Sequence, residues 1–192
     1  MSRKTLGNRH PHTLTSINSL GQLLQVKGDL AAAEPLLREA LEVSRETLGD
    51  RHPDTLTFIA NLGGLLMAKG DLAAAEPLCR EALEGRRETL GNRHPHMFTS
   101  INSLGGLLLA KGDLAAAEPL LREAVEGLRA TLGSGHPDTL ASIAKLCSLL
   151  VRSWLGSTHT FIASCSRRSP SLISVIVALF ACSAIVCMSL LC

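Results

Sequence analysis

The sequence predicts an all-α solenoid built from helix-turn-helix units, and three observations carry that prediction. Lys-Gly-Asp-Leu-Ala-Ala-Ala-Glu-Pro-Leu at positions 27–36 returns at 69–78 and 111–120. His-Pro falls at 10–11, 52–53, 94–95 and 136–137, a constant step, and residues 47–88 agree with 89–130 at 30 of 42 positions. Within each unit the apolar residues recur at steps of three and four, the spacing of one helix face. A helix with one such stripe cannot bury it alone, so the units must stack.

The elements follow in chain order. Residues 1–12 read as a partial repeat and linker, and the array spans 13–153 as three full units and one half unit. Pro11 suits the first helical position, where a missing N–H costs nothing. Leu14, Ile17, Leu20 and Leu24 then form the apolar stripe of a first helix. Gly28 stops it, and Asp29 offers an N-cap for a second helix that buries Leu30, Ala33, Leu37, Ala40 and Leu41. Glu34–Arg38, Glu76–Arg80 and Glu118–Arg122 stand at i,i+4 on the outer face, in the favourable order. Gly49 closes the second helix. Pro35, Pro77 and Pro119 lie about six residues inside these second helices, which predicts a kink or a loosened first turn. Gly21, Gly63 and Gly105, with Ala33, Ala75 and Ala117, are small where two helices must come close.

Composition narrows the function. The 19 Lys+Arg and 17 Asp+Glu balance completely up to Arg152, and the excess is Arg167 and Arg168. So mixed a surface offers no basic face, and nucleic acid is not expected as a partner. Four of the six cysteines (Cys165, Cys182, Cys187 and Cys192) crowd the stretch from 165 to the end, while Cys79 and Cys147 stand apart. No C-x-x-C occurs, so neither a disulfide framework nor a zinc site is expected. His10-Pro-His12 and His94-Pro-His96 invite a metal reading. Four of the seven histidines belong to the repeating His-Pro link, however, which points to a turn role and no metal. No phosphate-binding glycine motif and no nucleophile–base set occurs. Gly63 and Gly64 sit within a helical stripe, where close packing accounts for them. No enzyme activity and no cofactor are expected.

The 42-residue period, the Leu-Gly-x-x-His-Pro link, Asn61-Leu62 in "IANLGGLL" and the run "AEPL-x-R-EALE" resemble tetratricopeptide repeats of the kinesin light chain type. The resemblance covers about residues 5–153. It departs where an aromatic often follows the glycine of the first helix, because Leu24, Leu66 and Leu108 stand there. It implies a superhelix whose first helices line a concave groove that takes extended peptides. Beside the apolar stripe stand Thr15, Asn18, Gln22 and Gln25 at steps of 3, 4 and 3. Thr57, Asn61, Thr99 and Asn102 continue the candidate groove, with Gly64 and Gly106 at the register of Gln22. No Lys/Arg pair is expected to line it. The function this implies is a protein-interaction scaffold, with a motor cargo adaptor as one alternative and a membrane-tethered docking factor as another.

Past Trp154 the repeat is lost. Residues 154–170 read as a Ser-rich irregular linker and 171–192 as an uncharged hydrophobic helix. At about 1.5 Å per residue the latter spans roughly 33 Å, enough for a hydrocarbon core. With Arg167 and Arg168 beside it, the segment reads as a tail anchor that leaves the repeats cytosolic. Two other readings stand beside it, a helix folded back on the last half unit and a read-through product, and without the anchor the chain is soluble and cytoplasmic. The N-terminus "MSRKTLGNRHPH" has no apolar core of a secretory signal. Both ends of the array look uncapped, which predicts fraying at 1–12 and 154–170 and self-association through exposed apolar surface. Hydrogen exchange checks this: the expected pattern is fast exchange at both ends and slow exchange in the middle units, and the reverse pattern contradicts it.

Overall fold

The computed structural model describes residues 10–91 and 93–165, and within them it is entirely helical. Seven helices follow one another: α1 (Pro11–Val26), α2 (Leu30–Leu48), α3 (Pro53–Ala68), α4 (Leu72–Leu90), α5 (Pro95–Lys111), α6 (Leu114–Leu132) and α7 (Pro137–Cys165). Each first helix packs on the second helix of its own unit, and each second helix packs on the first helix of the next. Successive first helices also touch one another, and successive second helices do so less. The stack therefore curves with α1, α3, α5 and α7 on its inner side.

The links explain why the helices start and stop where they do. His10, His52, His94 and His136 are helix caps: each Nδ1 accepts the backbone N–H two residues on, at 3.2 Å. Proline follows each histidine, where its missing N–H removes nothing. At the other turn Gly28, Gly70 and Gly112 hold φ of +84°, +83° and +85°, a conformation that side chains resist. Asp29, Asp71 and Asp113 then accept from Ala32, Ala74 and Ala116 at 3.1 Å. The second helices run unbroken through Pro35, Pro77 and Pro119, and their first turns are intact, so the loosened turn does not occur. The Asp cap secures that turn just ahead of the proline.

Burial follows the stacking. Leu62, Leu104 and Leu146 are 2–5% exposed, whereas Leu20 at the same register is 48% exposed. Leu65, Leu107 and Leu149 are fully buried, and Leu23 is half exposed. The apolar stripe predicts Leu20 in the core, and the structure does not place it there. Its face is the one that the preceding second helix covers in later units, and no described residue lies there. At the other end Leu140 is 52% exposed, while Leu14, Leu56 and Phe98 at its register are 0–8% exposed. In complete units that position is covered by the unit's own second helix.

Helix α7 has 29 residues against 16 or 17 in the other first helices, because no Gly-Asp pair stops it. It runs to Cys165, well into the stretch expected as an irregular linker. Residues 166–192, with the expected hydrophobic helix and tail anchor, lie outside the described residues. No helix among the described residues is long and apolar enough to cross a membrane.

The glycines of the helices divide into two kinds. A Cβ at Gly21 would stand 2.7 Å from Leu37 Cδ2, one at Gly105 would stand 2.8 Å from Leu121 Cδ2, and one at Gly127 would overlap the ring of Phe98. Gly63 meets Cys79 Sγ at 3.2 Å, but Gly64, expected to be a packing glycine too, has open space before it. Gly64→Ala should therefore stabilise the chain by about 0.5–1 kcal/mol, the helix penalty of glycine. Gly127→Ala should destabilise it by about 1 kcal/mol or more, because the Phe98 ring must move. Urea midpoints of the two variants check the opposite signs.

Candidate peptide-binding groove

The inner face starts from first-helix residues that point away from both packing stripes. Thr15, Thr57 and Thr99 are there, but each donates its hydroxyl proton within its own helix, to Pro11 O at 3.1 Å, Pro53 O at 2.9 Å and His96 O at 2.8 Å. Only their lone pairs remain for a ligand. Gln22 is exposed and Gln25 half-buried. Asn18 is only 4% exposed, and its Oδ1 accepts from Asn61 Nδ2 at 3.0 Å, so these two amides join α1 to α3.

The same register gives a different pair two units further on. Asn102 stands two periods after Asn18, and Lys145 stands two periods after Asn61. Lys145 Nζ donates to the Asn102 carbonyl at 3.3 Å, while Asn102 Oδ1 is buried with no partner among the described residues. Gly106 makes room for the lysine: a Cβ there would lie 3.2 Å from Nζ. Between the two pairs the junction of α3 with α5 carries Ala60 and Ser103. The three junctions along the track thus differ in chemistry. Burial holds the Lys145 ammonium below its ordinary pKa, and no carboxylate bonds it among the described residues.

A Lys/Arg pair does line this face, against the expectation from sequence. Lys145 and Arg152 stand two helical turns apart on α7, and Arg152 Nη1 donates to the Leu109 carbonyl at 3.1 Å. Each reaches back to a backbone carbonyl of α5. The repeat comparison hides them, because other units have Ser19, Asn61 and Ser103 at the register of Lys145, and Ala68 and Ala110 at that of Arg152. A non-repeating cation at an inner-face register was the available signal.

The outer edge has a different task. Glu34 accepts from Arg38 of its own helix and from Lys69 of the next unit, and Glu76 does the same with Arg80 and Lys111. Bonds from those lysines, then the arginines, lower both carboxyl pKa values. Arg45–Glu81 at 2.6 Å adds a further tie between units, and Arg51–Glu88 at 2.9 Å ties the link before α3 to α4. A shallow cleft lined by Arg38, Leu41, Glu42, Arg45, Glu46 and Leu62 is separate from the inner track. The rings of His10 and His12 stack at 5.3 Å, with His10 Nδ1 engaged as a cap. No cluster of three metal-ligating side chains occurs among the described residues.

Comparison with known proteins agrees with the repeat fold. Two tetratricopeptide-repeat family profiles match, one over residues 57–130 and one over 13–54. The chain is a tetratricopeptide-repeat protein. Its repeats are of the kinesin light chain type. Two crystal structures of a Podosopora anserina protein, named as a candidate kinesin light chain with nearly identical TPR-like repeats, are similar to it. Each is 27% identical, with TM-scores of 0.64 and 0.63, covering 86% and 88% of this tetratricopeptide-repeat chain and 82% and 83% of theirs. BtubC (BKLC) from P. vanneervenii shares the fold at 21% identity and a TM-score of 0.63, over 71% of this chain and 55% of its own. None of the curated proteins matches significantly.

At one junction the surroundings favour a neutral histidine. Arg86 is buried between α4 and α5, donating to Ser100 Oγ at 2.8 Å and to the His96 carbonyl at 3.2 Å. Burial, then the Arg86 charge and His94, lower the His96 pKa from its ordinary 6.5, with Asp138 opposing. The folded state thus favours neutral His96. Its contribution is present above the unfolded value and is lost as pH falls through the lowered one. The stability gap between the parent and His96→Gln should therefore move against the parent on acidification from pH 7 to pH 5. A gap in urea midpoint that stays constant with pH contradicts this.

Proposed function

We propose that this protein is a non-catalytic interaction scaffold that holds an extended segment of a partner protein along the inner faces of α1, α3, α5 and α7. The observation that carries the reading is the Asn102–Lys145 junction, where an unpartnered buried amide oxygen adjoins an ammonium with no carboxylate bonded to it among the described residues. Buried polar groups need partners, and an extended peptide supplies both kinds. A backbone N–H suits Asn102 Oδ1, and a carboxylate suits Lys145 and Arg152. The remaining candidates, Thr15, Gln22, Gln25, Thr57 and Thr99, border the same track, and the Asn18–Asn61 pair marks its other end. The repeats belong to a family of interaction modules, and the balanced charge of the chain up to Arg152 leaves the inner-face cations to set the sign of the ligand.

Selection of a displayed random peptide library on the full chain tests this. The expected result is enrichment of peptides with at least one carboxylate, whose affinity falls about tenfold with Lys145→Met, as for loss of one charge-assisted bond. Absence of enrichment, or binders indifferent to Lys145 and Asn102 together, contradicts it. A second reading, a cargo adaptor within a motor complex, is favoured by the kinesin light chain likeness. Co-purification with a motor subunit is its test, and failure to recover one counts against it.

A further inference from the structure

A guanidinium in the middle of the array is buried without an acid to answer it. Arg86, near the end of α4, is 7% exposed, and no carboxylate bonds it among the described residues. Its bonds to Ser100 Oγ and the His96 carbonyl both leave from Nη1, and both end on neutral oxygens. The His96 carbonyl also accepts the Thr99 hydroxyl proton at 2.8 Å. Burial lowers the Arg86 pKa, and no neighbouring charge offsets it. A buried charge is costly to keep unless an opposite charge meets it.

The repeat shows how local this is. The register of Arg86 is Ser44 in the unit before and Leu128 in the unit after. Position 96 is histidine, whereas Asp54 and Asp138 stand at that register one unit to either side. A cation has entered the junction from which the carboxylate of the flanking units has left. Asp138 acts on the His96 ring but makes no bond to Arg86. Glu88, in the same turn of α4, is held by Arg51.

The other edge of the guanidinium has the form of an anion receptor. Nε and Nη2 carry N–H groups with no bond among the described residues. The sealed side-chain atoms without a bond there are Thr13 Oγ1 and Asn102 Oδ1. Neither guanidinium nitrogen is one of them, so this edge keeps contact with solvent. Parallel N–H groups, one from each nitrogen, match two oxygens of a single anion.

We infer that the Nε–Nη2 edge of Arg86 binds a phosphate oxyanion at the entry to α5. A phosphate is nearly a dianion at neutral pH, so it draws more than a carboxylate does from the exposed Arg87 and Arg93 in the same stretch of chain. The site is built on a second helix and does not rest on the peptide-groove reading. Free phosphate and a phosphoryl group carried by a partner share this chemistry.

Titration of the full chain at constant ionic strength tests the site, read from the backbone amide resonances of residues 96–100 and the Arg86 Nε–H resonance. Inorganic phosphate should shift them saturably. Phenyl phosphate is the esterified probe: binding as tight as that of inorganic phosphate supports a phosphoryl group on a partner, and binding of inorganic phosphate alone supports a free anion. Arg86→Leu, which copies the residue of the next unit, should weaken phosphate binding at least about tenfold, as for loss of a charge-assisted pair of bonds. His96→Asp keeps Arg86 and places a carboxylate beside it. That variant should weaken phosphate binding to a similar degree and raise the urea midpoint in the absence of phosphate. The second variant decides the matter where Arg86→Leu does not fold. No saturable shift in the parent, or phosphate affinity unchanged in His96→Asp, overturns the inference.

Discussion

Everything in this fold depends on each first helix after α1 being covered by the second helix of the unit before it. The register of Leu20, Leu62, Leu104 and Leu146 shows the dependence directly, because one residue type goes from half exposed to buried once a second helix precedes it among the described residues. No unit carries a self-sufficient core. Stability then resides in the interfaces, which makes the array a one-dimensional chain of nearest-neighbour contacts. The glycines at 21, 63 and 105 let the two helices of a unit approach, and the Glu34–Lys69 and Glu76–Lys111 bonds fix the next unit against them. The ion pairs are exposed and add little energy each. Their effect is to specify register along an edge where apolar contact alone would tolerate slippage.

The proposed function rests on what that packing leaves unused. Two faces of α3 and of α5 are consumed by second helices, and the third face looks inward. There the repeat stops repeating: Asn18 and Asn61 bond across the first junction, Ala60 and Ser103 leave the second bare, and Asn102 with Lys145 occupies the last. Near-identical scaffolding with unlike inner-face residues is the arrangement expected of a surface that reads a ligand along its length.

Much of this is legible in the sequence. The 42-residue period implies the helix pairs, the Asp caps and the stacking, because those depend on local chemistry repeated in register. Asn18, Asn61 and Asn102 lie where successive first helices meet, and their pairing is not legible. It depends on an offset between adjacent first helices that is one residue longer than the period, which only the packing geometry provides. Lys145 and Arg152 escape sequence reasoning for the same reason, since each acts on the unit before it. The repeat marks the histidines as linkers, and their cap role requires the ring orientation. Gly64 looks like a packing residue by its place beside Gly63, yet one helical step of about 100° separates a crowded face from an open one. The continuation of α7 to Cys165 follows from a missing stop signal, which is harder to read than a present one.

The most direct measurement compares two identical substitutions at one register, Leu20→Ala and Leu62→Ala, in the full chain by equilibrium denaturation. Stacking predicts a loss of about 2–5 kcal/mol for the buried Leu62 and well under about 1 kcal/mol for the half-exposed Leu20. Equal losses at the two sites would mean that burial of the first helices does not come from the preceding unit, and the account would fail.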